Sequence, residues 1–339
     1  MPTNHALTGV TFIGCGAAVP ETIVPNDALA QVVDTSDEWI SSRTGIRQRH
    51  ISNASESLAG LATQAAQQAL EMAGVAPTDV DLILLATSSS EDLFGTACQI
   101  QAQLGATKAV AFDLTAACSG FVFGVVTGAQ FLRSGVYRNV LVIGADLLSR
   151  WVDWNDRNTC VLFGDGAGAV LMQADRDIDR LLGFEIKSDG TKNACLNLAF
   201  KPELSELMPG VILTQGKYQY VTMNGKEVYR FAIDRVPDAI DKVIHQAHIT
   251  SNDLDWLILH QANQRIMDAV AERLHIPAEK VISNVAKYGN TSAASIPIAL
   301  NEAVRSAKIQ AGDTIATCGF GAGLSWGAAI FKWGKSEVE

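Results

Sequence analysis

The sequence lacks the features of a membrane, disulfide-stabilised or nucleic-acid-binding protein. No apolar run reaches about 18 residues, so no transmembrane helix is predicted, and Met1–Ala6 does not resemble a signal peptide. The six cysteines are scattered, without a CxxC pair or metal-ligand spacing, which predicts a reduced, cytoplasmic protein with no metal site. A net charge of −10 argues against general nucleic-acid binding, although it leaves room for a local basic patch.

Alternating strand-like and helix-like segments dominate what is present. Of the 339 residues, 48% are hydrophobic and 18% are charged, so the chain can bury a large core. Apolar runs such as Val140–Ile143 alternate with segments of helical periodicity such as Ser57–Ala73. Continuous apolar strands are typical of sheets covered on both faces. The pattern therefore predicts an α/β protein built from largely parallel sheets.

The chain repeats itself at an offset of 174 residues, most clearly where Asp79–Leu85 reappears as Asp253–Leu259. Near the end the offset falls to 159, which places about 15 extra residues in the first half, roughly from Leu147 to Val161. No linker rich in proline, serine or glycine separates the halves. We therefore expect two similar halves, 1–174 and 175–339, fused into one pseudo-symmetric five-layer sandwich.

Cys118 lies where a strand is expected to give way to a helix. The apolar run Ala109–Phe112 precedes it and is predicted to be a buried strand, and Phe121–Arg133 has the spacing of a packed helix. A thiol at a helix N-terminus meets unpaired N–H groups and the positive end of the dipole, which would lower its pKa. The alternative is a small cysteine buried in the core.

His260 and Asn290 complete a candidate catalytic group. His260 ends an apolar run, and the carboxyl end of a parallel strand is where α/β sheets place ligands. Alone, it could be a structural histidine, and Asn290 could belong to a helix cap. A cysteine, a histidine and an asparagine together supply a nucleophile and two neutral donors for an oxyanion. The offset of 174 pairs each with a small residue: Cys118 with Ser292, His260 with Ala86, and Asn290 with Ala116.

Two glycine-rich segments remain. Gly319–Gly327 fits neither GxGxxG nor GxxxxGK[ST], so we interpret it as a close backbone approach that presents an N–H to a substrate. Phe163–Gly168 is better explained as a structural turn between strands.

Five motifs, in order and correctly spaced, resemble the β-ketoacyl-acyl-carrier-protein synthase III family of the thiolase superfamily. The resemblance extends from Leu7 to Trp333 and implies a thiolase-like fold, with duplicated βαβαβαββ halves in a five-layer α-β-α-β-α sandwich. The motifs are Val33–Ile40, Arg43–Arg47, Ala117–Gly120, His260–Asn263 and Gly289–Ser295.

The resemblance also implies a reaction, the initiation of fatty acid synthesis. Cys118 would take an acyl group, usually acetyl, from coenzyme A, while the backbone N–H groups of Cys118 and Ala322 hold the oxyanion. His260 and Asn290 would donate to the thioester of malonyl-acyl-carrier protein and stabilise the enolate formed when carbon dioxide leaves. That carbanion would attack the acyl-cysteine. Neither a cofactor nor a metal is implied.

Binding residues follow from the same resemblance. Phe94 would reach the acyl pocket of a second subunit, which implies a homodimer. Trp39 could also be an ordinary half-buried surface aromatic. The lysine and arginines of the carrier-protein site, named next, could equally belong to an ordinary solvated surface. The implied coenzyme A site is Thr35, Trp39, Arg43, Arg157, Gly225 and Asn263, and the implied carrier-protein site is Gln261, Arg265, Lys226 and Arg230.

Three alternatives to the family reaction predict different residues. A starter condensing enzyme or acyltransferase of secondary metabolism would predict a changed His260 or Asn290. A non-catalytic scaffold would predict the loss of Cys118, and a degradative thiolase a second cysteine in place of Asn290. Two departures from the family pattern, the Gly321-Ala-Gly323 loop and Lys226, leave the primer length open.

Overall fold

The computed structural model of the chain describes residues 8–334, and Leu7 and the Met1–Ala6 segment lie outside them. The strands are β1 (Gly9–Ala18), β2 (Ile23–Pro25), β3 (Gln48–His50), β4 (Leu82–Ala86), β5 (Val110–Leu114), β6 (Asn139–Leu147), β7 (Asp165–Asp175), β8 (Leu181–Ser188), β9 (Leu196–Asn197), β10 (Phe200–Met208), β11 (Val211–Tyr218), β12 (Thr222–Met223), β13 (Trp256–Leu259), β14 (Thr314–Gly321) and β15 (Ser325–Lys332). The α-helices are α1 (Asn26–Leu29), α2 (Asp37–Thr44), α3 (Leu58–Ala73), α4 (Ala97–Leu104), α5 (Gly120–Arg133), α6 (Gly225–Gln246), α7 (Gln264–Arg273), α8 (Val285–Tyr288) and α9 (Ser295–Arg305).

Two mixed sheets form the framework. The first has the order β1-β7-β6-β4-β5 and the second the order β13-β14-β15-β8. Only β4–β5, β4–β6 and β13–β14 pair in parallel, and the other ladders of these two sheets are antiparallel. The expectation of largely parallel sheets is therefore wrong. Strands β7 and β15 follow β6 and β14 without a crossover helix, and such direct connections give antiparallel pairs.

The helices complete five layers and confirm the predicted fold class. Helices α5 and α9 lie between the sheets, in a core shared with side chains from both. Helix α3 covers the outer face of the first sheet, and α6 and α7 cover the outer face of the second. In β4, Leu82 and Leu84 face the central layer, whereas Ile83 and Leu85 face α3. The strand is continuously apolar because both of its faces are buried.

Strand β5, which was expected to be buried, is an exposed edge strand. It pairs with β4 alone, and Val110 and Phe112 are 49% and 39% exposed. The apolar run correctly indicated a strand. It could not indicate that nothing within the described part of a single chain covers this edge.

The duplication is visible in the structure, with one correction to its register. Short 3₁₀ helices at 117–119 and 292–294 precede α5 and α9, and their first residues, Ala117 and Ser292, have positive φ values of 46° and 50°. The offset is therefore 175 at this point. The counterparts of Cys118 and Asn290 are Ala293 and Thr115, rather than Ser292 and Ala116. The extra residues of the first half form the connection between β6 and β7.

Candidate active site

A cavity of about 2220 Å³ opens where the two halves meet, and residues from both halves line it. Cys118 reaches it from the short 3₁₀ helix before α5, His260 from the residue after β13, and Asn290 from the turn before α9. The structure therefore brings the three sequence-predicted residues to one cavity. All three are largely buried, with exposures of 7%, 1% and 7% respectively.

Close approach of strand β14 holds the Cys118 segment. A Cβ at Gly321 would lie 2.9 Å from Cys118 Cβ and 3.0 Å from its backbone nitrogen. A Cβ at Gly319 would lie 2.8 Å from Ser119 Cα. Both positions require glycine because backbone stands against backbone. The glycine-rich segment therefore packs directly against the backbone of Cys118 and Ser119, which agrees with the close backbone approach predicted for it.

Burial controls the charge state of Cys118. Desolvation raises the pKa of the thiol to about 12, although a hydrogen bond from Ser292 and a backbone hydrogen bond oppose the shift. The expected lowering of the pKa is therefore wrong for the free thiol. The position before α5 does favour an anion, but the cost of removing the thiolate from water is larger. The free cysteine is consequently protonated at neutral pH.

His260 is held as a neutral side chain. Desolvation lowers its pKa to about 3, and its ring lies edge-on to Phe320 with the centroids 5.2 Å apart. Its Nδ1 is 2.7 Å from Ser295 Oγ. If the Ser295 hydroxyl donates to Nδ1, the proton of the neutral ring is on Nε2. The imidazole is then a hydrogen-bond donor.

Asn290 is oriented by its own turn. Its backbone N–H donates to Leu162 O at 2.8 Å, and its carbonyl accepts from Gly164 N at 3.0 Å. Its side-chain Oδ1 accepts from Ser292 N at 2.9 Å. Because the oxygen is engaged, the amide Nδ2 is the group left to donate.

The sequence analysis did not single out Ser292 or Ser295, although both contact the candidate residues. Ser292 Oγ donates to Cys118 Sγ at 3.4 Å, and Ser295 Oγ approaches His260. Both belong to the Gly289–Ser295 motif, whose serines look like ordinary helix-capping residues. Only the fold shows which side chains they face.

The residues expected to bind coenzyme A are partly gathered at the mouth of the cavity. Trp39, Arg43, Gly225 and Asn263 line it, whereas Thr35 and Arg157 do not. The guanidinium groups of Arg43 and Arg157 lie 4.7 and 5.2 Å from the Trp39 ring centroid. Asn263 caps α7 and donates to Arg43 O at 3.0 Å. In this structure Arg157 itself lies against Trp39.

Three of the four expected carrier-protein residues lie at the cavity mouth. Lys226 and Arg265 are exposed, and the Arg230 side chain is 72% exposed with Glu227 as its ion-pair partner. Gln261 is the exception. It is 1% exposed, its Nε2 donates to Leu259 O and Ile282 O, and its Oε1 accepts from Asn284 N. The expectation that Gln261 contacts a carrier protein is therefore wrong, and its role is to brace the turn after β13.

Phe94 is 99% exposed and the neighbouring Leu93 is 83% exposed.

Within residues 8–334, no helix is long and apolar enough to span a membrane. Over the same residues, no cluster of three histidine, cysteine, aspartate or glutamate side chains could hold a metal ion.

The five-layer fold, with a cysteine, a neutral histidine and an asparagine around one cavity, defines a condensing acyltransferase of the thiolase fold. The family model of the 3-oxoacyl-acyl-carrier-protein synthase III C-terminal part matches residues 244–333, and the model described as 3-oxoacyl-acyl-carrier-protein synthase III matches residues 112–190. The chain is 66% identical to the β-ketoacyl-acyl-carrier-protein synthase III of Trichormus variabilis, over 96% of this chain and 99% of that protein.

Solved structures agree with the sequence matches. The crystal structure of 3-oxoacyl-acyl-carrier-protein synthase III from Aquifex aeolicus VF5 is 43% identical, with a TM-score of 0.88 over 96% of this chain and 100% of that one. The priming β-ketosynthase of the R1128 polyketide pathway is 32% identical, with a TM-score of 0.90 over 99% of each chain. The chain belongs to the 3-oxoacyl-acyl-carrier-protein synthase III family.

Proposed function

We propose that the chain condenses an acyl-coenzyme A primer, acetyl-coenzyme A, with malonyl-acyl-carrier protein, and so initiates fatty acid synthesis through an acyl-Cys118 intermediate. The observation that carries the proposal is the convergence of Cys118, His260 and Asn290 on one cavity. His260 and Asn290 are neutral donors, as the reaction needs, and Cys118 must lose its proton as it attacks. The product is a β-ketoacyl-acyl-carrier protein.

In the first half-reaction, Cys118 Sγ attacks the thioester carbonyl of the primer and coenzyme A leaves. The carbonyl oxygen becomes an oxyanion, for which the backbone N–H groups of Cys118 and Ala322 are the proposed donors. The contact of Gly321 with Cys118 supports this assignment, because it brings the Ala322 segment beside the nucleophile.

In the second half-reaction, malonyl-acyl-carrier protein loses carbon dioxide. Negative charge builds on its thioester oxygen, where His260 Nε2 and Asn290 Nδ2 are the proposed donors. A charged imidazole would need water that this buried site excludes, and the low pKa of His260 keeps the ring neutral. The resulting enolate attacks the acyl-cysteine, which forms the carbon–carbon bond and releases the Cys118 thiolate.

Coenzyme A is the proposed occupant of the cavity mouth. An adenine ring stacked on the side of Trp39 that faces Arg157 would require Arg157 to move away. The hydrogen bond and ion pair of Arg157 with Asp34 lie at the surface. Arg43 is placed to pair with a phosphate. No separate cofactor is proposed, since the thioester is itself a substrate.

The cytoplasm is the proposed location. All six cysteines are free thiols in the structure, which fits a reducing compartment.

The cluster of Lys226, Arg230 and Arg265 is proposed to receive the acidic carrier protein. Reversing one charge with Arg230→Glu should lower kcat/KM for malonyl-acyl-carrier protein about tenfold, with a weaker dependence on salt, because rim charges act mainly on the association rate. Acylation by acetyl-coenzyme A should change by less than about twofold. Arg176→Glu, an equal charge change at an exposed position away from the cavity, is the control. Equal losses in both variants would contradict the assignment.

A second copy of the chain is proposed to cover β5. An uncovered edge strand is prone to pairing, and this edge carries the exposed apolar side chains Val110 and Phe112. Phe112 and the exposed Phe94 both line the cavity. We expect Phe112→Asp to weaken a homodimer by about 2 kcal/mol or more, roughly thirtyfold in dissociation constant. Sedimentation over a concentration series measures this effect. Val136→Asp, at a position that is 64% exposed elsewhere, should leave the dimer intact.

The overall function is tested by supplying acetyl-coenzyme A and malonyl-acyl-carrier protein to the purified chain and identifying the carrier-bound product by mass. Acetoacetyl-acyl-carrier protein is the expected product. A starter enzyme of polyketide synthesis is the second candidate, because of the likeness to the R1128 priming ketosynthase. A clear preference for longer or branched primers over acetyl-coenzyme A would favour that candidate.

A further inference from the structure

Asp146 is the penultimate residue of β6 and belongs to none of the motifs considered above. It is fully buried, close to Cys118. Within residues 8–334 no lysine, arginine or histidine side chain forms an ion pair or hydrogen bond with it. The nearby negative charge of Asp146 is one cause of the raised Cys118 pKa. A buried carboxylate without a cation is costly, so its presence calls for a physical explanation.

The hydrogen bonds around Asp146 favour its ionised form, against the burial that raises its pKa. Its Oδ1 accepts from Ser88 N at 2.8 Å, Ser89 Oγ at 3.0 Å and Thr87 Oγ1 at 3.2 Å. The Ser89 and Thr87 hydroxyl oxygens already accept bonds from Leu147 N and Ser89 N, so their protons point to the carboxylate. All three partners therefore donate to Asp146 Oδ1, which acts as the acceptor.

The second carboxylate oxygen, Oδ2, has one hydrogen-bond donor, Ala293 N at 3.2 Å. Desolvation by burial raises the pKa of Asp146, and the nearby Ser292 hydroxyl opposes that shift. The same Ser292 hydroxyl lies 3.4 Å from Cys118 Sγ. It has only one proton, which it gives to one acceptor at a time. When the thiol S–H donates to Ser292 Oγ, the Ser292 O–H is free to donate to Asp146.

We propose that Asp146, acting through Ser292, receives the Cys118 proton during acylation and stores it for as long as Cys118 carries the acyl group. The S–H bond breaks as the S–C bond forms, the thiol proton passes to Ser292 Oγ, and the Ser292 proton passes to Asp146 Oδ2. Coenzyme A leaves as a thiolate and takes a proton from solvent. After condensation, the released Cys118 thiolate recovers the stored proton by the reverse path.

The neighbouring groups explain why the proton goes to the carboxylate. His260 holds a proton poorly, since burial lowers its pKa to about 3, and its Nδ1 is engaged by Ser295. The amide of Asn290 is not a base. The negative charge of Asp146 disfavours the Cys118 thiolate, so the thiol keeps its proton while Asp146 is ionised. Acylation removes the thiol from this competition and leaves the proton with Asp146. The inference rests on the proposed role of Cys118 as the acyl carrier.

Proton uptake during acylation alone is the direct test. Acetyl-coenzyme A is added to the wild-type enzyme in weakly buffered solution with a pH indicator, while intact mass follows acetyl-Cys118. About one solvent proton should be consumed per site acylated, because coenzyme A leaves unprotonated and its thiol pKa is above neutral. Transfer of the cysteine proton directly to coenzyme A would consume none. Acylation without uptake would overturn this inference alone, whereas no acylation would overturn the proposed function.

Two variants test whether the proton passes through Ser292 to Asp146. Asp146→Asn and Ser292→Ala should each slow acylation by roughly 10²-fold, as expected for loss of a general base, and should abolish proton uptake. Their decarboxylation of malonyl-acyl-carrier protein should stay within a few-fold of wild type, which a general structural defect would not allow. If Asp146→Asn fails to fold, Ser292→Ala leaves the other donors to the carboxylate in place.

Asp165→Asn is the matched control. Asp165 is equally buried and accepts bonds from Ser52 N, Ser149 N and Ser149 Oγ, none of which contacts Cys118. It should acylate with normal proton uptake. Unchanged acylation and uptake in both the Asp146 and Ser292 variants would overturn the proposal.

Discussion

Replacing Cys118 by alanine should eliminate the covalent acetyl adduct and reduce condensation to background, the largest effect expected of any single substitution in this chain. No other residue at the cavity supplies a nucleophile in the position that Gly321 and Ser292 define around Sγ. Intact mass after incubation with acetyl-coenzyme A measures the adduct, and product formation from malonyl-acyl-carrier protein measures condensation. Loss of a nucleophile typically costs several orders of magnitude in rate.

The control for this prediction is a second cysteine. Cys195→Ala removes a partly exposed thiol outside the cavity lining and should leave both measurements unchanged. Cys118→Ala should still bind malonyl-acyl-carrier protein and decarboxylate it, since the proposed enolate donors remain. An acetyl adduct that persisted in Cys118→Ala would show that another residue carries the acyl group.

The fold class could be predicted from the sequence because duplication and periodicity are recorded residue by residue. The near copy of Asp79–Leu85 at Asp253–Leu259 identified equivalent strands, which the structure shows as β4 and β13. Strand direction was not accessible in this way, because the apolar runs of β6 and β7 look alike whichever way they run. The burial of β5 was also misjudged, since edge position depends on the neighbours of a strand rather than on its composition.

The identities of the candidate site residues could be predicted from the sequence, whereas their electrostatics could not. A cysteine, a histidine and an asparagine have known chemical roles, so the types and spacing of Cys118, His260 and Asn290 were sufficient to nominate them. Their electrostatics were not accessible. The raised pKa of Cys118 and the lowered pKa of His260 both come mainly from desolvation, which depends on the packing of both halves around the cavity. Asp146 was overlooked for the same reason, because nothing in its local sequence shows that Ser292 links it to the thiol.

The lowered pKa of His260 has a consequence for stability. Between pH 6.5, the ordinary value, and about pH 3, the unfolded chain binds a proton at this residue that the folded chain does not. The contribution of neutral His260 to stability is therefore complete above pH 6.5 and is lost as the pH falls toward 3. In the same interval the ring remains a neutral donor in the folded enzyme.

Replacing His260 or Asn290 by alanine should separate the two half-reactions. Each variant should still form acetyl-Cys118, within a few-fold of the wild-type rate, but should lose roughly 10²- to 10³-fold in condensation, the usual cost of removing one oxyanion donor. Because His260 has a pKa of about 3, the wild-type rate of malonyl decarboxylation should not fall through titration of this residue between about pH 5 and pH 8.

Single-turnover assays distinguish these outcomes, with acetyl-Cys118 formed first and malonyl-acyl-carrier protein added second. His245→Gln and Asn252→Ala change exposed residues of the same types outside the cavity lining and should leave both steps unaltered. The double variant should be less impaired than the product of the two single losses, since one donor without the other holds the enolate oxygen in a poorer position. Slow acylation with normal condensation would reverse the assignment and place His260 and Asn290 in the first half-reaction.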